Sequence, residues 1–85
     1  MRKIAEIEYN EKTVNVFLWS NGDGYTVYCG KEFEFETEAE VITLCKEQGE
    51  IKKFTIYEPS LNGKSIADAL NKHCNVAPDG PGLYY

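Results

Sequence analysis

Seven glutamates fall within twenty consecutive residues, and that density is the chemical feature from which a reading of this chain begins. Residues 31–50 contain Glu32, Glu34, Glu36, Glu38, Glu40, Glu47 and Glu50 against only Lys31 and Lys46. Elsewhere seven acidic and seven basic residues balance, so the whole net charge of −5 lies in that window. Part of this has a structural use. Glu38 and Glu40 suit the positive N-terminal end of a helix, and charge on an edge strand discourages aggregation. The rest works against stability. Glutamates at alternate strand positions lie ~7 Å apart on one face and repel one another, and Glu47 and Glu50 come at a helix end that disfavours anions. Such a surface repels phosphate backbones, so direct nucleic-acid binding is not expected. It attracts a basic protein surface instead.

Other residues with chemical potential fit their motifs poorly. Gly63-Lys64-Ser65 has the closing residues of a phosphate-binding loop, but that loop needs glycine five positions before Gly63, where Glu58 stands. Asn21-Gly22-Asp23-Gly24 has the middle of a calcium loop, yet in that register the first ligand position is Trp19 and the twelfth, which requires glutamate, is Gly30. A hairpin turn explains these residues better. His73 and Cys74 are neighbours, and neighbours on a helix point about 100° apart, so they do not form a nucleophile–base pair with each other. Cys29, Cys45 and Cys74 lack the paired spacing of a zinc site and are read as reduced thiols that pack as small apolar groups. No metal and no cofactor is expected.

The elements that position these residues follow from periodicity. Ala5, Ile7 and Tyr9 alternate with Ile4, Glu6 and Glu8 in a first strand. Val14, Val16 and Leu18 alternate with Asn15, Phe17 and Trp19 in a second, apolar on both faces and therefore central in its sheet. A turn at residues 21–24 leads to a third strand, Tyr25 to Cys29. Gly30-Lys31 is read as a two-residue type II′ loop into a fourth, Glu32 to Glu36, with phenylalanines toward a core and glutamates toward water. Thr37-Glu38-Ala39-Glu40 carries a capping-box pattern. The helix that follows should bury Val41, Leu44, Cys45 and Gln48 with Ile42 at the margin, and end at Gly49. Ile51 to Tyr57 reads as a fifth strand, able to join either edge of the meander. A second helix is expected from Asn62–Ser65 to about Cys74, with Ile66, Ala69, Leu70, His73 and Cys74 as its apolar stripe.

The expected fold is thus α+β: a four-strand antiparallel meander plus a fifth strand, with two helices, in the order ββββαβα. Residues 1–85 form one domain, with 76–85 an irregular C-terminal tail packed on the body. Phe17, Trp19, Tyr28 and Tyr57 should share the sheet face away from the first helix, there to be covered by the second helix and the tail or to serve as contact anchors.

At 85 residues the chain has little room for both a core and a catalytic pocket. An apolar run no longer than Val16 to Trp19 and acidic residues near Met1 argue against a membrane span or a signal segment, so a cytoplasmic location is expected. The expectation is a non-enzymatic binding or inhibitor protein. Its basic protein partner would be engaged through Glu32, Glu34, Glu36, Glu38 and Glu40, with Phe17, Trp19, Tyr28 and Tyr57 as aromatic anchors. Size and acidity are of the kind carried by small phage or mobile-element inhibitors of nucleic-acid-binding host effectors, although no motif ties the chain to one family. One alternative is a homo-oligomer joined through the aromatic sheet face. Another is a small enzyme or redox protein using Cys74 or Cys29 with His73.

Overall fold

Residues of period-two alternation form the strands of the computed structural model, which describes residues 1–57 together with Ile66, Asp68 and Leu70. The strands are β1 (Arg2–Glu8), β2 (Thr13–Leu18), β3 (Tyr25–Tyr28), β4 (Glu32–Phe35) and β5 (Lys53–Ile56), with the helix α1 (Glu38–Glu47) between the last two. They make one antiparallel sheet in the order β4-β3-β2-β1-β5. The doubly apolar β2 is central, as its pattern requires, and β5 joins the meander beside β1.

Cross-strand partners share a face. Phe33, Val27, Val16, Ala5 and Ile56 therefore form one row across the sheet, flanked by Phe35–Tyr25–Leu18 and by Val14–Ile7–Phe54. α1 covers this face with Val41, Ile42, Leu44 and Cys45. The Tyr9 hydroxyl ties sheet to helix by donating to the Cys45 carbonyl at 2.7 Å. A bulge in β1 between Lys3 and Ala5 resolves the mixed pattern of that strand, because it lets both Ile4 and Ala5 be fully buried.

Three local expectations need correction. The β3–β4 register pairs Tyr28 with Glu32, so Cys29, Gly30 and Lys31 form a three-residue connection and not a two-residue loop. Gly30 still takes a positive φ of 94°. β4 ends at Phe35, which leaves Glu36 beyond the strand and off the row of Glu32 and Glu34. Gln48 is the half-buried C-cap of α1; its backbone N–H donates to the Cys45 carbonyl at 3.1 Å, and the Gly49 N–H donates to the Lys46 carbonyl at 3.4 Å.

In the residue 19–24 turn, Gly22 is the position with positive φ (79°), and the Asp23 amide donates to Asn21 Oδ1 at 3.0 Å. Gly24 serves a different end. A Cβ there would meet the Trp19 ring at 2.7 Å and the Phe35 carbonyl oxygen at 2.8 Å, so this glycine permits the indole to lie against the backbone.

Ile66, Asp68 and Leu70 are helical; Ile66 and Leu70, four residues apart, are fully buried in the α1-side core, and Asp68 is exposed. The described positions of this segment thus add to the helix side of the sheet and not to a cover over the aromatic face. The remainder of the expected second helix, including His73 and Cys74, and the 76–85 tail lie outside the described residues.

Candidate functional site

β4 lies at one end of the sheet, and its alternation splits two chemistries across its two faces. Glu32 and Glu34 pair with Tyr28 and Thr26 and point away from α1. Phe33 and Phe35 pair with Val27 and Tyr25 and point toward it, each only half-buried because no strand lies outside them among the described residues. Glu36 follows at the bend, and Glu38 and Glu40 occupy the first turn of α1. All five glutamates are exposed. They do not form one flat acidic face. They wrap the β4 edge, two on the sheet face away from α1, one at the corner and two on the helix side.

Sequence reasoning missed what lies between those two sides. A groove of about 460 Å³ runs between β4 and α1, with Phe33 and Phe35 on one wall and Ala39, Thr43 and Leu44 on the other. Glu40 and Glu47 complete its lining. The rings of Phe33 and Phe35 lie parallel, 6.3 Å apart, and Lys31 Nζ sits 4.8 Å from the Phe33 centroid. The signal that could have revealed the groove is Ala39 and Thr43, small residues on the helix turn facing an edge strand that carries large ones.

One of the five carboxylates accepts a hydrogen bond from a tyrosine, and a second acts on another tyrosine through its charge. Tyr28 Oη donates to Glu32 Oε1 at 3.1 Å, and this bond is the main cause that raises the Tyr28 phenol above its ordinary range. Tyr25 is 4% exposed and lies near enough to Glu38 to feel its charge. Burial first, and the Glu38 charge second, push its pKa up to about 12. Among the described residues the ion pairs are Lys3–Glu6 at 2.8 Å and Lys53–Glu8 at 3.5 Å, both at the β1–β5 end of the sheet. The bond from Lys3 is also the main cause that holds the Glu6 carboxyl below its ordinary range. None of the five glutamates around β4 has such a counter-charge among the described residues.

The sheet face away from α1 holds all four of the expected aromatic residues but brings only Phe17 and Tyr28 into ring contact. Phe17 and Tyr28 meet edge to face at 5.6 Å and 87°. Trp19 is half-buried and donates from Nε1 to the buried Thr26 hydroxyl at 3.0 Å. Tyr57 stands apart beside β1, its hydroxyl donating to Glu6 at 3.2 Å with Lys3 5.7 Å from its ring. Tyr28 and Tyr57 are the more open pair, each 38% exposed.

The remaining candidates separate. Cys45 is fully buried, and Cys29 is half-buried in the β3–β4 connection. His73 and Cys74 lie outside the described residues, as does Gly63-Lys64-Ser65. Among the described residues no three His, Cys, Asp or Glu side chains gather as a metal site, and no helix is long and apolar enough to cross a membrane. Comparison with protein-family models, curated proteins and solved structures gives no match to this chain.

Proposed function

We propose that this chain is a non-enzymatic binding protein that engages a basic protein partner through the carboxylates around β4. Its most specific form is an inhibitor of a nucleic-acid-binding effector, of the sort encoded by phages and mobile elements. There the carboxylates occupy a surface that otherwise receives phosphates. One observation supports this reading above the others: Glu32, Glu34, Glu36, Glu38 and Glu40 are all exposed, and no cation pairs with them among the described residues. Concentrated like charge lowers the stability of the free protein and is relieved when a cationic surface docks. The half-buried and exposed aromatics on the face of β2 and β3 away from α1 add contact area beside Glu32 and Glu34.

Capture from lysate by the unsubstituted chain and by the Glu34→Lys/Glu36→Lys variant tests the proposal. A basic protein held at low salt, released as salt rises and lost by the variant is the expected result. Both substitutions fall at exposed positions, so the thermal unfolding midpoint should hold within a few degrees. Equal capture by a folded variant would remove these two residues from the mechanism.

A further inference from the structure

We propose that the partner binds by strand addition: an extended segment of alternating basic and apolar residues pairs with the outer edge of β4. Its lysines or arginines lie beside Glu32 and Glu34, and its apolar side chains enter the groove against Phe33 and Phe35. This rests on the basic-partner reading above and specifies how such a partner is held.

Three features of the edge converge. β4 ends the sheet, and among the described residues no strand pairs with its outer side, so a row of backbone donors and acceptors is presented to an incoming chain. The groove of about 460 Å³ lies directly beside that row, on the face to which Phe33 and Phe35 point. The alternation of β4 then sets the chemistry of the occupant. Residues opposite one another across a new ladder share a face. Positions facing Glu32 and Glu34 call for cations, and those facing Phe33 and Phe35 call for apolar groups. Glu40 and Glu47, along the helix side of the groove, favour further basic residues flanking the paired segment.

Charge also decides against a second copy of this chain as the occupant. Two β4 strands joined edge to edge in antiparallel place the Glu32 and Glu34 rows of both copies on one face, where like charges directly opposite destabilise the pair; joined in parallel, one copy is turned over and each copy's glutamates are set against the other's Phe33 and Phe35, an apolar setting that disfavours carboxylates. A basic segment turns the first of these juxtapositions into attraction.

Peptide binding to the full chain provides the test. Two eight-residue peptides of identical composition, four lysines and four valines, are compared: one strictly alternating, the other with the lysines and valines in separate blocks. Two further alternating peptides are N-methylated on the odd or the even amides. Successive amides of a strand point to opposite sides, so only one set can donate to β4. The alternating peptide should bind at least about tenfold more tightly than the blocked one. One methylated set should lose that advantage and the other keep it. Thr43→Tyr fills the groove from an exposed helix position and should weaken the alternating peptide about tenfold, with the unfolding midpoint unchanged. Equal, salt-sensitive binding of alternating and blocked peptides, indifferent to both methylation patterns, would overturn strand addition and leave the basic-partner reading standing. No salt-sensitive binding by any peptide would overturn both. Self-association that is lost in the Glu34→Lys variant would overturn the choice of occupant.

Discussion

Tyr25 shows how one residue links the core to the acidic edge. It closes the Leu18–Tyr25–Phe35 row and is 4% exposed, yet it feels the charge of Glu38 at the start of α1. Burial, and then the Glu38 charge, raise its pKa to about 12 from the usual 10. The folded chain therefore holds this proton more strongly than the unfolded chain does. The resulting stability is complete below pH 10 and is lost as pH rises through the folded value near 12. At 1.36 kcal/mol per unit, the total is about 2–3 kcal/mol. Urea unfolding at pH 9, 10 and 11 should show a falling stability that Tyr25→Phe flattens. Glu38→Gln should flatten it only in part, since burial is the larger cause. A Tyr25→Phe protein that lost stability just as steeply would place the alkaline loss elsewhere. Gly24 belongs to the same corner. It lets Trp19 approach the backbone beside Phe35 and so brings the indole to Thr26.

At the scale of an element, α1 is short enough that its ends matter. Ten residues are marginal for an isolated helix. Thr37, extended at φ −128°, accepts the Glu40 amide on Oγ1 at 3.3 Å, which is the forward arm of the capping box. Thr37→Ala should cost about 1 kcal/mol in urea unfolding, and Thr37→Ser should recover most of it. No loss in the alanine variant would assign the helix wholly to the packing of Val41, Leu44 and Cys45. This helix was legible in the sequence because its signals are local: a cap, an apolar stripe and Gly49, which takes φ 113°. The strands were legible from alternation for the same reason. Register was not. A two-residue loop at Gly30-Lys31 would have set Tyr28 opposite Phe33, and the three-residue connection sets it opposite Glu32. One residue of slip exchanges the faces of an entire strand. The β1 bulge escaped too, because Ile4 and Ala5 are adjacent apolar residues and alternation alone cannot bury both.

The whole molecule determines what the acidic residues can do, and here sequence reached only halfway. Their identity and surplus charge were visible, but their arrangement was not, since it depends on which side of the meander β5 joins. That choice is made by pairing between residues about fifty positions apart, such as Ala5 with Ile56. Because β5 extends the sheet beside β1, β4 stays at the opposite end with its outer side unpaired among the described residues. The carboxylates then have two consequences: they attract a cationic chain and they discourage the edges of two copies from meeting. Glu32→Val with Glu34→Val separates these. It leaves the helix side and the groove unaltered while turning β4 into a wholly apolar strand of high β propensity. Light scattering over a tenfold range of concentration should show the double variant gaining mass where the unsubstituted chain does not. A variant whose mass stays constant would mean that the groove and helix shield the edge without help from the carboxylates. Glu32 and Glu34 would then have no protective role, and their cost in mutual repulsion would have to be explained by binding alone.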